Sequence, residues 1–146
     1  MKLQEKFKNK WNGELTLSVI DNSTGDVISK IIHKNLIVNT GYESAAKALA
    51  GQAAITYIQV GTSAIPPVPE DTTIQNAVTI PFQSVEFPGS AVKFNFEIEA
   101  TMANGMDIVE FGLITQDGKL FSRLVRDEII SKTEEIAILG SWKINL

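Results

Sequence analysis

Short runs in which apolar and polar residues alternate constrain this chain more than any other feature. In the run 92–100, five apolar residues alternate with Lys, Asn and two Glu. A period of two places each set on opposite faces of a β-strand. Similar runs occur at 14–20 and 136–146, and turn pairs such as Asp117-Gly118 separate the runs. The sequence therefore predicts a mainly β protein.

One segment, about 41–50, departs from this alternation and is typical of a helix. Thr40 and Glu43 have the spacing of a capping box, in which each side chain satisfies a free backbone N–H. The segment is rich in alanine, and Gly51 supplies a stop. With about eight or nine short strands and this one helix, the pattern predicts an antiparallel β-sandwich.

Composition narrows the classes of function. The 146 residues suit one domain, and the chain has no cysteine and one histidine. Disulfide scaffolds, thiol chemistry and multi-histidine metal sites are therefore excluded, and no cofactor or metal is expected. The net charge of −4 disfavours nucleic-acid binding. No apolar run approaches the roughly 18 residues of a membrane helix, so membrane insertion is not expected.

Residues 1–12 are predicted to be an N-terminal arm outside a single domain at 13–146. Residues 1–34 carry six Lys against four acidic residues, whereas the remainder carries seven basic residues against thirteen acidic ones. Phe7 and Trp11 add aromatic rings to this Lys-rich start. A solvated, disordered terminus is the favoured interpretation of the basic residues. The two rings suit docking on a partner, and local packing on its own domain is an equal alternative for them.

Three carboxylates are candidates for chemistry. Glu97 and Glu99 are expected on one strand face, about 6–7 Å apart, a spacing that glycosidases also use. A solvated outer face is the favoured interpretation of this pair. Glu110 lies in an otherwise apolar strand, where a buried carboxylate needs partners. A structural ion pair with Arg123 or Arg126 is favoured there over a general acid.

Two further surfaces are candidates for contacts. A loop after residue 61 contains Pro66, Pro67, Pro69 and Asp71, and its prolines stiffen the path of the chain. Aromatic rings that stack on sugars offer carbohydrate binding as an alternative function. The apolar register of one of these rings instead favours a position in the core. These rings belong to Trp11, Tyr42, Tyr57 and Trp142, of which Trp142 has the core register.

The order of short motifs over about residues 33–146 resembles small tail-fibre, baseplate and tail-collar type structural proteins of tailed bacteriophages and prophages. Residues 34–41 lead into the helix, and Gly61-Thr62-Ser63 opens the proline loop. Later motifs are an Asn-Gly turn, the strand around Glu110, the Asp-Gly hairpin and a final strand. They span 103–105, 108–113, 117–123 and 142–144.

This resemblance implies a non-enzymatic structural component of a phage tail, baseplate or fibre. Such a component would be assembled in the bacterial cytoplasm and incorporated into the virion. Its partners would be other virion proteins and copies of itself, as a trimer or hexamer. Its contacts would use the Phe7/Trp11 arm, the Pro66–Asp71 loop and the Glu97/Glu99 face. A module that binds a receptor or host-surface glycan, a capsid decoration or head-fibre protein, and a carboxylate depolymerase are the alternatives.

Overall fold

Eight antiparallel strands and one helix form the part of the chain that this computed structural model describes, residues 11–146. The elements in chain order are β1 (Asn12–Asp21), β2 (Val27–Ile37), α1 (Asn39–Ala48), β3 (Ile55–Gly61), β4 (Val78–Glu86), β5 (Ala91–Ile98), β6 (Asp107–Thr115), β7 (Leu120–Ser131) and β8 (Ile136–Asn145). The protein is thus mainly β with one short helix.

The strands close into a barrel in the order β1-β2-β7-β6-β3-β4-β5-β8. Closure is complete because β1 pairs with β2 on one edge and with β8 on the other. The second pairing runs from Asn12 opposite Asn145 to Asp21 opposite Ile136. The predicted β-sandwich is therefore wrong.

Two strands, β2 and β4, change their pairing partner along their length, which a β-sandwich does not require. In β4, residues 78–81 pair with β3 and residues from Phe82 onward pair with β5, with a bulge between Phe82 and Ser84. In β2, most of the strand pairs with β1, and only Leu36 and Ile37 pair with β7. Because β2 and β4 each pair with one neighbour along one part and with the other neighbour along the rest, the strands join into one closed barrel.

Inward-facing side chains fill the barrel. Leu15, Leu17, Phe96, Phe111 and Trp142 are all almost completely buried in one cluster. The prediction that Trp142 belongs to the core is confirmed. The Phe96 ring occupies the space above Gly140, where an added Cβ would lie 2.1 Å from the ring. The alternation of the sequence thus fills a packed interior, as in other small barrels.

The helix begins two residues earlier than predicted, at Asn39. Val38 is its N-cap in an extended conformation, without a side-chain cap. The predicted capping box is wrong, because the Thr40 hydroxyl donates instead to the carbonyl oxygen of Leu120. This contact ties the start of the helix to β7.

Trp11 lies at the start of the described residues, next to β1. It is half-buried and packs against the core cluster. The first ten residues of the predicted arm, including Phe7, lie outside the described residues. The strand that follows begins at Asn12, the last residue of the predicted arm.

Candidate docking groove

An apolar groove with a cavity of about 420 Å³ lies at one end of the barrel, between α1 and the β4–β5 hairpin. Its floor is formed by core side chains that reach the barrel end, and its rim by side chains of the surrounding loops. The floor includes Phe94, Phe121 and Ile144, and the rim includes Leu49, Phe87 and Leu146. This volume falls in the range of binding pockets.

The rim of the groove is strongly exposed. Leu49 is 88% exposed, Phe87 76% and Leu146 64%. A single exposed apolar residue is ordinary, whereas several around one concave apolar surface are typical of a binding site. The groove is therefore the strongest candidate site among the described residues.

Small residues on α1 set the position of one groove wall. Gly41, Ser44 and Ala45 are the buried residues of the helix. A Cβ added at Gly41 would lie 1.9 Å from the carbonyl oxygen of Phe121, so only glycine permits this approach to β7. The helix therefore lies close to the barrel, with Ala45 and Ala48 facing the groove.

The groove has no chemistry of its own in the described part of the chain. Every described residue that lines it is apolar. The described lining therefore offers no acid, base or nucleophilic side chain to a substrate. What it can do is remove apolar groups of a partner from water.

An ionic cluster among the described residues lies elsewhere, on the outer face of the barrel. The structure pairs Glu110 with Arg123, with 2.6 Å between Glu110 Oε2 and Arg123 Nε. The guanidinium also contacts Asp71, with 2.9 Å between Arg123 Nη1 and Asp71 Oδ2. Glu110 and Arg123 are buried, and Asp71 is half-buried.

This cluster fastens the loop of residues 62–77, which we call the strap, onto the barrel. Glu110 Oε1 accepts from the backbone N–H groups of Ser63 and Gln75, at 3.1 and 3.0 Å. Asp71 Oδ2 accepts from the N–H of Val68 at 2.9 Å. Since both Glu110 oxygens are bound to the protein itself, the geometry supports a structural role for this carboxylate.

The three prolines of the strap differ in their exposure to solvent. Pro66 and Pro69 are exposed, whereas Pro67 is half-buried. The carbonyl oxygen of Pro69 accepts from the N–H of Asn39 at 2.8 Å, which connects the strap to the first residue of α1. The loop is therefore bonded to the helix as well as to the barrel.

Glu97 and Glu99 alternate with the buried residues Phe96 and Ile98 at the end of β5. β5 ends at Ile98, so Glu99 lies beyond the strand and is exposed. Glu97 is half-buried and accepts from Gln83 Nε2 at 3.1 Å. The outward, solvated position favoured for this pair stays a prediction.

Two further buried cations lie outside the groove. Lys132 is fully buried and donates to Asn104 Oδ1 and to the carbonyl oxygens of Ala100 and Thr133. Burial lowers the pKa of Lys132, and burial likewise lowers the pKa of Arg126. Within residues 11–146, no three His, Asp or Glu side chains lie close enough together to hold a metal ion.

The structure brings together only some of the residues that the sequence singled out. Asp71, Glu110 and Arg123 meet in one cluster, whereas Trp11 lines the groove. Sequence reasoning missed the groove itself. The available signal was a large apolar residue directly beside a turn, at Phe87 before Pro88-Gly89 and at Leu49 near Gly51.

No protein-family model, curated protein or solved structure matches this chain. The resemblance to phage tail proteins thus stays a prediction from short motifs. In the described part of the chain, no helix has the length and apolar character needed to cross a membrane.

Proposed function

We propose that this protein is a non-enzymatic assembly module whose groove binds an apolar segment of a protein partner. The observation that carries the proposal is the contiguous apolar groove with an exposed rim and no titratable lining among the described residues. The closed barrel provides a fixed frame, because its strands are paired around the whole circumference.

A protein segment fits this groove better than a small molecule does. Small-molecule sites cover most of the ligand and place a few polar groups that fix its orientation. The described lining has no such groups, and its rim is open at Leu49, Phe87 and Leu146. A peptide segment would insert apolar side chains and keep its backbone polar groups outside the groove, in water or in its own helix.

The setting of this assembly role is proposed from the resemblance of motifs. That resemblance supports a virion component in the tail, baseplate or fibre of a bacteriophage, made in the bacterial cytoplasm. Other virion proteins and copies of the chain, as a trimer or hexamer, would be its partners. Glycan binding has weaker support, because Trp142, one of the four candidate stacking rings, is fully buried.

Selection of random peptides displayed on phage against the immobilised full chain tests the groove. We expect the enriched peptides to share two or three aromatic or aliphatic residues. Their binding should fall at least tenfold for the double variant Leu49→Lys, Phe87→Lys. The matched control is Ile28→Lys, Ile32→Lys on β2, where both residues are large, aliphatic and exposed, 60% and 61%.

The control variant should bind the enriched peptides as well as the original chain does. Peptides without an apolar pattern would contradict the proposal. Equal binding to the groove variant and the original chain would do the same. Circular dichroism of both double variants checks that the barrel is intact.

A further inference from the structure

The barrel wall has its shortest strand pairing between β2 and β7. This ladder ends at Leu36 opposite Arg123 and is only two residue pairs long. The ladder between β1 and β2, by contrast, continues along β2 as far as Val27. Within the described part of the chain, residues 27–35 of β2 and 124–131 of β7 therefore have a strand neighbour on one side only. We call the gap between these two ranges the seam.

Side chains of β2 that point into the barrel are partly exposed along the seam. The register of β1 and β2 places His33 opposite Leu15 and Ile31 opposite Leu17, and opposite residues share one face of a sheet. Leu15 and Leu17 are fully buried in the core, whereas Ile31 and His33 are half-buried. The inner face of the sheet is therefore covered on β1 and open to solvent on β2.

A buried arginine without a hydrogen-bond partner on two of its nitrogens lies on the other side of the seam. Leu124 packs in the core, and the alternation of a strand gives Arg126 the same inward direction. Arg126 is 6% exposed, yet its Nε and Nη1 atoms have no hydrogen-bond partner. The carboxylates of Asp127 and Glu128 do not bond these two nitrogens and act on the guanidinium only through longer-range attraction. Because an unpaired buried donor is costly, the guanidinium favours binding of an acceptor at the seam.

The two arginines of β7 are both buried but differ in their partners. Arg123 donates to Glu110 and Asp71, which fasten the strap. Among the described residues, Arg126 forms no ion pair of this kind. Six buried side-chain polar atoms of residues 11–146 lack a hydrogen-bond partner, and five of them belong to β2 or β7. The unsatisfied polar groups thus concentrate on the two strands that border the seam.

The outer face of β2 beside the seam is basic. Lys30 and Lys34 are exposed there and alternate with the inward-facing residues of the strand. No acidic residue occurs between Val27 and Ile37. Complementary charge steers partners and suppresses wrong ones, so an acidic segment is favoured at this edge over a basic one.

We infer that the seam is a second docking site, which binds an extended acidic segment of a protein partner as an added strand. The unpaired edge of β2 supplies backbone hydrogen bonds, the mode of recognition called β-augmentation. A carboxylate of the segment accepts from the guanidinium of Arg126, and Lys30 and Lys34 attract the segment from the outer face. The inference goes beyond the proposed function, because the described lining of the groove shares no residue with the seam.

Binding of short labelled peptides to the full chain tests this site. The probe is a fluorescein-labelled eight-residue peptide in which Glu and Val alternate, and the control peptide has Lys in place of Glu. Fluorescence anisotropy gives the two dissociation constants. We expect the Glu–Val peptide to bind at least tenfold more tightly than the Lys–Val peptide. Equal affinities would overturn the inference.

Two variants of the chain assign the binding to the seam. Arg126→Met should weaken binding of the Glu–Val peptide at least tenfold, and the double variant Lys30→Glu, Lys34→Glu at least threefold. The matched control is Lys47→Glu, Lys119→Glu, which makes the same change of charge at two exposed positions outside the seam. This control should leave the affinity unchanged. Unchanged binding to Arg126→Met would overturn the inference.

Urea unfolding of the free chain separates a binding role of Arg126 from a structural one. Since its Nε and Nη1 atoms have no partner in the described part of the chain, Arg126→Met should not lower the midpoint of unfolding. Arg123→Met, which removes a paired cation, should lower it. An equal fall for both variants would assign the Arg126 guanidinium to the fold and overturn the inference.

Amide hydrogen exchange tests the edge of β2 without any substitution. The amides of residues 27–35 that face the seam should exchange rapidly in the free chain, and the Glu–Val peptide should slow them at least tenfold. A fully N-methylated peptide of the same sequence has no backbone donor and should bind at least tenfold more weakly. Amides already protected in the free chain would show that a second copy or another segment covers the edge, and would overturn the inference.

The two proposals fail separately. The groove variant Leu49→Lys, Phe87→Lys should bind the Glu–Val peptide as the original chain does. Ile28→Lys, Ile32→Lys adds positive charge beside the edge and should not weaken this peptide. Selection of random peptides in the presence of excess Glu–Val peptide restricts the selection to the groove. If selected peptides bind the groove while the Glu–Val peptide does not bind, only the seam is wrong. If the Glu–Val peptide binds while selection ignores the groove, only the proposed function fails.

Discussion

The strap and the groove both border the barrel, and they satisfy their contacts in opposite ways. The strap buries a charged cluster whose groups all have partners within the chain. It also places Ile74, which is 7% exposed, over Gly112. The groove instead leaves Leu49 and Phe87 largely exposed. The strap is therefore a completed contact, whereas the groove has unused binding surface.

This difference indicates where partners act. A buried ion pair loses much of its Coulomb attraction to desolvation, and it is sensitive to the loss of either member. Such a cluster fixes one arrangement of a loop. An apolar groove has little directional preference, because the hydrophobic effect follows the area removed from water. The groove is thus suited to partners that bind and leave, whereas the strap is suited to a permanent contact within the chain.

The largest expected effect comes from breaking the strap cluster. Arg123→Met would leave the buried Glu110 carboxylate without its cation and Asp71 without its contact. Breaking a buried pair in this way costs about 3–5 kcal/mol. Urea unfolding followed by circular dichroism measures the loss in the free energy of unfolding.

Lys119→Met is the matched control for this substitution. Lys119 is exposed in the β6–β7 turn, so its replacement should change stability by no more than about 0.5 kcal/mol. The double variant Glu110→Gln, Arg123→Met should recover part of the loss, since a neutral amide is cheaper to bury than an unpaired carboxylate. A cost below about 1 kcal/mol for Arg123→Met would contradict the view that the cluster holds the strap.

The strands were predictable because period-two alternation reports which face is buried, as in β5. Closure was not predictable, since a sandwich and a barrel show the same alternation. The difference lies in how β2 and β4 change partners along their length.

The candidate sites, like the fold, could be predicted only in part from the sequence. Glu110 was informative because a carboxylate in an apolar strand needs a buried partner. The contact of Asp71 with Arg123 joins residues 52 positions apart, and no local pattern reports such a distance. Leu49 lies directly after the end of the helix and is 88% exposed, and the alanine-rich helical pattern of 41–50 does not report this exposure.

A substitution in the helix that forms one groove wall is expected to lower the free energy of unfolding by an intermediate amount. Gly41→Ala would bring a methyl group to 1.9 Å from the Phe121 carbonyl oxygen. The helix must then move away from β7, at a cost of about 1–3 kcal/mol, typical of overpacking. Urea unfolding measures this cost. The exposed helical position Ala46 provides the control Ala46→Ser, with an expected change of no more than about 0.7 kcal/mol. No loss for Gly41→Ala would show that the helix is not held at this contact.

The smallest effect is expected at the groove rim, and it separates the two regions most sharply. Leu49→Ser should change the free energy of unfolding by no more than about 0.5 kcal/mol, because Leu49 is 88% exposed and adds little to the barrel. The same kind of change in the strap, Ile74→Ser, removes a buried side chain and should cost about 2–5 kcal/mol. Urea unfolding of both variants gives the comparison. A loss above about 1 kcal/mol for Leu49→Ser would mean that the rim is firmly covered in the free protein, and the groove would then be as complete a contact as the strap.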